Sequence, residues 1–562
     1  MKLEERIGAS APRSMSVLLI GFQDQDNLGL RYLASTVQAC GHAAAIMTYG
    51  SDTERILARV VQEQPDVIGF SLIFQYMAPD FAQVIAGLRA AGIDAHITMG
   101  GHYPSFEYGE ILGQIPGLDS VVRFEGELTL VALLDALALG ENWRALPGLA
   151  YRDAKGAISS SPLREPLSDL NLLPLPDRES IDYESHPMAT ASVLGSRGCP
   201  WDCSFCSIRP FYEAQGGALR RLRDPRAVVH EMRDLYRNRG VSLFLFQDDD
   251  FLATGKRGRS WGSAVADAIR EANLAGSIAF KISCRSDEVR PEIIERLVAG
   301  GLTHVYMGVE SGDEIGLGNM NKMLDPSAHL RAGAILRRYG LSFDFGFMLL
   351  DPYSSFDSIR ANIRFLESFI GDGWSVAPFC RMLPYAGTPI RERLRAEGRL
   401  AGTEFAPDYK FLDPRLDLFY QWMLETFYER NFTNAGLCNI LRGLHFEAHL
   451  KLDDARRQSR ITDERRSYLQ HLTAVCNQIA CYTLRAAVDH IESHSLHELE
   501  RKPAYLHGLT GNEKAQELRL MTEIGQYYDS VHPNHDPIPG PVPGSFGKSW
   551  TIDREASGVG VA

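Results

Sequence analysis

The stretch "GSRGCPWDCSFCSIRPF", residues 195–211, brings three of the chain's nine cysteines into eight positions. Cys199, Cys203 and Cys206 follow a C-x3-C-x2-C spacing, in which one tight loop can turn three thiolates towards a common centre. A structural zinc takes four closed ligands, usually as two C-x2-C type pairs. No second pair exists here, so a zinc would need an imidazole such as His186 or His230 as its fourth donor. A four-iron cluster on three thiolates leaves one iron open to bind another molecule, which implies chemistry at that iron. The remaining cysteines, Cys40, Cys284, Cys380, Cys438, Cys476 and Cys481, stand among apolar neighbours, as buried structural thiols do.

Such a loop needs a platform. Strand-like runs recur as "TASVLGS" (190–196), "SLFLFQD" (242–248), "SIAFKIS" (277–283), "THVYMGV" (303–309), "SFDFGFMLL" (342–350) and "SVAPFCRML" (375–383), with helical segments between them. Six β/α units predict most of a parallel barrel with its functional residues at the C-terminal strand ends. The cysteines follow the first of these strands, on that face.

Upstream, "SVLLIGF", "AAAIMTY", "DVIGFSL", "AHITMGG" and "LDSVVRF" are apolar throughout and alternate with helical patterns. They predict a doubly wound, Rossmann-like α/β domain, in which ligands sit beyond the carboxyl ends of the strands. Its loops at 21–29, 71–77, 100–105 and 123–127 are therefore expected on one edge. The organisation expected is an α/β domain over 1–150, a Pro-rich linker over 151–188, a partial β/α barrel over 189–400, a mostly helical domain over 401–530 and a Pro/Gly-rich tail over 531–562.

Composition narrows the function. A chain of 562 residues with 45% hydrophobic content can bury several cores. Its formal charge of −13 argues against a nucleic-acid or anionic-membrane surface and for a small-molecule or peptide substrate. No apolar run reaches the roughly 18–20 residues that span a bilayer, and the N-terminus lacks the apolar segment of a signal peptide. A cytoplasmic location is the expectation.

With Phe205 as its hydrophobic residue, the C-x3-C-x-Φ-C loop after the first barrel strand resembles that of the radical S-adenosylmethionine (SAM) superfamily. The resemblance implies a [4Fe–4S] cluster on the three cysteines, SAM chelated to the free iron, and reductive cleavage to a 5′-deoxyadenosyl radical. It also implies an external one-electron reductant such as flavodoxin or ferredoxin. In "FQDDDF" it points to Asp248 and Asp249 near the SAM amino group. "KISCRSDEV" offers Ser283 and Arg285 to the ribose and carboxylate, since Arg binds carboxylates in bidentate fashion. "MGVESGDE" brings Glu310 and Ser311 to the mouth of strand four, and "LPYAGTPI" (383–390) resembles a further loop of the superfamily.

The first domain lacks the G-x-G-x-x-G of dinucleotide binders after strand one. The order of domains over about residues 15–400 resembles the cobalamin-binding radical SAM enzymes, with "NLGLRYLASTVQACGH", "DVIGFSL", "GGHYPS" and "RFEGELTLVALLDAL" matching that pattern. Many cobalamin domains carry D-x-H-x-x-G, whose His ligates cobalt; here Asp26 stands in the His slot, before Asn27 and Leu28, which implies cobalamin without a His ligand. Ser71, Leu72 and Gln75 are expected at the corrin, with Gln75 towards its upper face. Gly100, Gly101 and His102, together with Glu125, Gly126 and Glu127, are expected around the nucleotide tail, where Phe124 replaces a more usual Gly.

The resemblance implies methylation of an unactivated carbon: one SAM methylates cob(I)alamin, a second gives the radical, and the substrate radical takes the methyl group. An oxidative ring contraction, cyclisation or rearrangement needs the same residues. A cofactor-sensing regulator and an RNA methylthiotransferase fit less well, for want of a DNA-binding module and of a second cysteine set. Tyr409, Phe411, Tyr420 and Trp422 form an aromatic stripe suited either to a substrate lid or to core packing.

Overall fold

The computed structural model describes residues 7, 13–23, 26–50, 52–183, 188–253, 256–450, 452 and 461–532. Asp24, Gln25, His186 and the tail beyond His532 lie outside the described residues.

The first sheet contains β1 (Ser16–Gly21), β2 (Ala43–Thr48), β3 (Val67–Ser71), β4 (His96–Gly100), β5 (Ser120–Val122), β6 (Leu149–Arg152) and β7 (Ile158–Ser160), in the order β2-β1-β3-β4-β5-β6-β7. The first five run parallel; β6 and β7 are antiparallel. Alternation along β1 explains the two layers. Val17 and Leu19 join Leu30, Tyr32, Leu130 and Leu134 on one face, while Leu18 and Ile20 join Phe70, Phe81 and Ile111 on the other. The strand order reverses between β1 and β3, which opens a crevice at their carboxyl ends. The β6–β7 hairpin differs from the sequence reading, which assigned its second strand to the linker.

The second sheet is parallel, in the order β15-β14-β13-β12-β11-β8. It is built from β8 (Thr190–Val193), β11 (Leu243–Phe246), β12 (Ala279–Arg285), β13 (Leu302–Glu310), β14 (Ser342–Leu350) and β15 (Phe379–Arg381). β9 (Ser196–Arg197) and β10 (Arg221–Leu222) form a small antiparallel ladder beside it, and β16 (Leu400–Gly402) and β17 (Pro407–Tyr409) form a hairpin after it. Five of the six expected strands begin within three residues of their apolar runs; β15 is shorter, confined to "FCR" in the middle of "SVAPFCRML".

Helices Pro414–Phe432, Leu437–His449, Asp463–Glu492, the short Leu496–Arg501 and Ala504–Val531 follow among the described residues. From the second of these Arg442 reaches Asp344 on β14, with Nε 2.9 Å from Oδ2, so the C-terminal helices buttress the N-terminal end of the barrel. Tyr409, Phe411 and Trp422 are buried in the barrel core, where the aromatic stripe packs. No described helix is long and apolar enough to cross a membrane.

The cysteine loop and the cavity beside it

Cys199, Cys203 and Cys206 lie, half-buried, in the loop after β9. Three consecutive aspartates after β11 hold that loop. Asp248 accepts from the Gly195 amide (3.0 Å) and from Ser196 Oγ, Asp249 from the Gly198 amide (2.9 Å), and Asp250 from Trp201 Nε1 (3.0 Å). The far side is pinned by Ser204, which donates from its amide to Met320 O (2.9 Å) and from its hydroxyl to Asn319 O (2.9 Å). The loop is thus positioned before any ligand binds.

Burial, the leading cause at all three thiols, pushes Cys206 up to about 12 and raises Cys199 and Cys203. Neighbouring Asp249 and Asp250 act in the same direction at Cys199, whereas Lys322 and Arg285 oppose at Cys203. Three half-buried cysteines on one pinned loop with the C-x3-C-x2-C spacing are a donor set that an iron–sulfur cluster fits.

The expected SAM residues divide into two groups. Asp248 has both oxygens engaged by the loop, so it positions the cysteines rather than facing them; burial first pushes it, like Asp249, up to about 6. Arg285 is buried, lies 3.8 Å over the Trp201 ring, bonds Asp287 and the Lys322 carbonyl, and keeps Nη1 buried with no protein partner, a donor suited to a ligand carboxylate. Ser283 is half-buried on β12. Glu310 sits in the left-handed region (φ 67°) and pairs with Lys322 at 3.2 Å, and Phe205 lies 5.7 Å from the same Lys322 Nζ. Ser311 donates to Asn362 Oδ1 (2.9 Å) inside the core, so it braces the turn after β13.

Sequence reasoning missed the Glu288–Asp250 pair beneath Trp201. Burial first, then the Asp250 charge, push the Glu288 carboxyl up to about 10, so it stays protonated at neutral pH. An acid whose pKa is raised by folding from 4.5 to about 10 contributes stability that is complete below the lower value and lost as pH climbs towards the upper one. The loss has a limiting slope of about 1.4 kcal/mol per pH unit. Glu288→Gln is therefore expected to flatten the fall in thermal midpoint on going from about pH 7 to about pH 9; a variant with the wild-type profile contradicts this assignment.

A cavity of about 310 Å³ opens at the crevice of the first sheet and runs between the sheet and helices Leu28–Ala39 and Glu127–Leu139. Asn27, Leu28, Ser71, Gly100, Gly101, His102, Glu125, Gly126 and Glu127 line it, so the four loops meet on one edge. Its inner wall is Leu19, Gly69 and Thr98, and a Cβ at Gly69 would come within 2.9 Å of Leu19. An apolar slot with a polar mouth fits an inserted heterocyclic tail such as that of cobalamin.

Three expected cobalamin residues are elsewhere. Asp26 Oδ2 receives Arg178 Nη1 (2.8 Å) and the Ser192 amide (2.9 Å), at the domain junction. Leu72 is fully buried, and Gln75 is clamped between the Glu404 carbonyl and the Ala386 amide, both at 3.0 Å, so its amide ties the first domain to the barrel. The Gly100–Gly101 turn, expected at the nucleotide tail, is also required by the backbone itself. A Cβ on Gly101 (φ 113°) would lie 2.2 Å from the Leu72 carbonyl oxygen, so the glycine serves a backbone crossing. Gly101→Ala should cost about 1–3 kcal/mol, read as a lower thermal midpoint together with reduced cobalamin retention; an unaltered midpoint argues against the crossing.

Residues that flank or hold the cysteine loop wall this cavity. Ser196, Arg197, Phe211, Tyr212 and Asp249 line it from the barrel side. Arg197 pairs with Glu127 (2.6 Å) and Glu125 (3.3 Å), and Phe211, five residues after Cys206, stacks on His102 with centroids 4.3 Å apart. Burial raises Glu125, but Arg197 and Arg221 outweigh it and hold the carboxyl below its ordinary range. Phe124 adopts φ 63°, the conformation a Gly would take there, and packs on Phe106 and Phe211 at the cavity rim. Burial lowers His102 to about 4, so this stacked ring is neutral.

Comparison with known proteins decides what this pairing of sites is. Residues 21–134 match the B12 binding domain family and residues 193–366 the Radical SAM superfamily. The chain belongs to the cobalamin-binding radical SAM enzymes. Among such relatives, an uncharacterized methyltransferase of Pyrococcus horikoshii, PH0819, is 26% identical over 75% of this chain and 88% of its own length. The anaerobic magnesium-protoporphyrin IX monomethyl ester cyclase of Rubrivivax gelatinosus is 26% identical over 57% of this chain, which spans 58% of that enzyme. In fold, the chain is similar to the cobalamin-dependent SAM radical enzyme OxsB, with a TM-score of 0.67, 15% identity and coverage of 93% of this chain and 82% of the other. A radical SAM enzyme with a B12 domain uses SAM, a [4Fe–4S] cluster and cobalamin.

Proposed function

We propose that this protein is a C-methyltransferase acting on an unactivated carbon of a small-molecule or peptide intermediate. The observation that carries the reading is the shared wall: Ser196, Arg197 and Asp249, which flank or hold the cysteine loop, also line the cavity of the B12 domain. The methyltransferase relative spanning 75% of the chain supports it. When bound, the cluster with SAM supplies a carbon-centred radical and cobalamin supplies a methyl group. The protein's part is to fix both on one enclosure, where proximity controls which bond forms.

In this reading Cys199, Cys203 and Cys206 hold the cluster, Asp248, Asp249 and Asp250 fix their loop, Arg285 meets the SAM carboxylate through Nη1, and Glu310 with Lys322 borders the reacting space. Asn27, Leu28, Ser71, Gly100, Gly101, His102, Glu125, Gly126 and Glu127 hold the corrin tail. Cobalamin is bound without a side-chain ligand from the D-x-H-x-x-G position, because the Asp26 carboxylate there is already engaged by Arg178 and the Ser192 amide. An electron donor of the flavodoxin or ferredoxin type completes the system. The cyclase relative favours a second reading, radical cyclisation or rearrangement without methyl transfer.

Anaerobic incubation of the reconstituted protein with methyl-deuterated SAM, cobalamin and reductant separates the two. Deuterated methylcobalamin with S-adenosylhomocysteine is the expected outcome. 5′-Deoxyadenosine formed without S-adenosylhomocysteine overturns methyl transfer and leaves the second reading.

A further inference from the structure

The cavity of the first domain has a floor whose composition is set by strand register. β1, β3 and β4 run side by side, and at the strand ends Ser71 stands beside Gly100. Two residues further in, roughly 6.6 Å along the strands, Leu19 pairs with Gly69 and Gly69 with Thr98. All three line the cavity, so it reaches one row below the strand ends.

A Cβ placed on Gly69 would lie 2.9 Å from Leu19 Cδ2, 3.9 Å from Thr98 Cγ2 and 4.0 Å from Val17 Cγ2. These neighbours are all methyl carbons. Thr98 turns its hydroxyl away, donating to the Ser120 carbonyl (3.2 Å) and accepting from Ser120 Oγ (2.9 Å). The amides and carbonyls of the row are taken up by the ladders between the strands. From the other side Leu33 and Leu130 reach the cavity from helices Leu28–Ala39 and Glu127–Leu139. The inner end is therefore carbon, while Asn27, Glu125 and Glu127 stand at the mouth.

We propose that this floor selects among corrinoid cofactors by their lower base: the protein takes a tail ending in an apolar ring such as dimethylbenzimidazole and discriminates against one ending in a purine. The inference rests on the reading above that the cavity receives the cofactor's detached tail. A base joined to the corrin through its sugar and phosphate enters with the edge remote from the sugar leading. In dimethylbenzimidazole that edge carries two methyl groups, which the Leu19–Gly69–Thr98 row covers with carbon. In adenine the corresponding six-membered ring carries two nitrogens and an amino group, which would give up water for a carbon surface. A buried polar group left unpaired lowers affinity by about tenfold or more.

Anaerobic equilibrium dialysis of the full-length, cluster-loaded protein against three corrinoids tests this: cobalamin, its adenine-based counterpart pseudocobalamin, and cobinamide, which has no base. Cobalamin should bind about tenfold or more tightly than either of the others. In Gly69→Ala the added methyl stands where the base would go. Cobalamin should then fall to the affinity of cobinamide, while cobinamide binding and iron content stay at their wild-type values. Should that variant lose its iron, and so its fold, the wild-type comparison of the three corrinoids decides alone. Pseudocobalamin binding as tightly as cobalamin, with both well above cobinamide, overturns the base preference and leaves the tail in the cavity. Cobalamin binding no better than cobinamide overturns the cavity assignment itself, and with it the preference. Unaltered cobalamin affinity in a folded Gly69→Ala overturns the assignment of the floor. Dialysis reads binding without turnover, so none of these outcomes depends on which reaction the enzyme performs.

Discussion

Replacing Cys199, Cys203 or Cys206 singly with Ala should reduce bound iron from about four atoms per chain to a small residue and bring 5′-deoxyadenosine formation below detection. The reason is geometric. The loop is pinned from one side by Asp248, Asp249 and Asp250 and from the other by the Met320 and Asn319 carbonyls, so a lost thiol cannot be replaced by a slide of its neighbours. Nor is there a substitute in the loop: Cys284, which shares Asp250 as a neighbour, is buried on the rigid strand β12. Cys438→Ala serves as the control, because that thiol lies against the Ala377 carbonyl and Asn431 in the helical domain. Iron and deoxyadenosine that survive at any of the three loop positions would show that the thiol replaced there is not a cluster ligand.

Arg178→Met should destabilise the protein by about 3–5 kcal/mol, the range for stripping one partner from a buried charge network. Arg178 contacts Asp26 (2.8 Å), Glu231 (2.9 Å) and the Ser192 carbonyl (2.7 Å), tying the linker, the B12 domain, β8 and helix Pro225–Arg239 together. Without it Glu231 retains Arg223, but Asp26 loses its cation in a half-buried position at the junction. Adding Asp26→Asn should recover part of the loss, since the carboxylate then no longer needs a counter-charge. A thermal midpoint that stays at the wild-type value in Arg178→Met would mean that the junction is held by other contacts.

The strands were legible because parallel strands covered on both faces are apolar at every position, as in "SVLLIG" or "SFDFGFMLL". The β6–β7 hairpin was harder to read: it is an antiparallel edge whose "ISS" alternates in exposure and resembles a linker in composition. The cysteines declared themselves by spacing. What escaped the sequence was the partner of each acidic group. Nothing local tells that Asp26 faces Arg178, 152 residues away, or that Asp248 caps the loop after β8 while Arg285 keeps a buried donor unmatched. Phe124 illustrates the limit from the other direction. Its departure from Gly was visible in "RFEGE", but only the fold shows that it keeps the left-handed backbone and makes up for it with aromatic packing.

The central claim is that one enclosure between the barrel and the first domain serves both cofactors. An anaerobic EPR spectrum of protein from cobalamin-supplied cells, with iron and cobalamin quantified on the same sample, tests it most directly. The account predicts one reducible four-iron cluster per chain together with a cob(II)alamin signal that lacks nitrogen superhyperfine splitting. A cluster that reconstitutes while cobalamin does not bind, or a cobalt signal split by a side-chain imidazole, would contradict it.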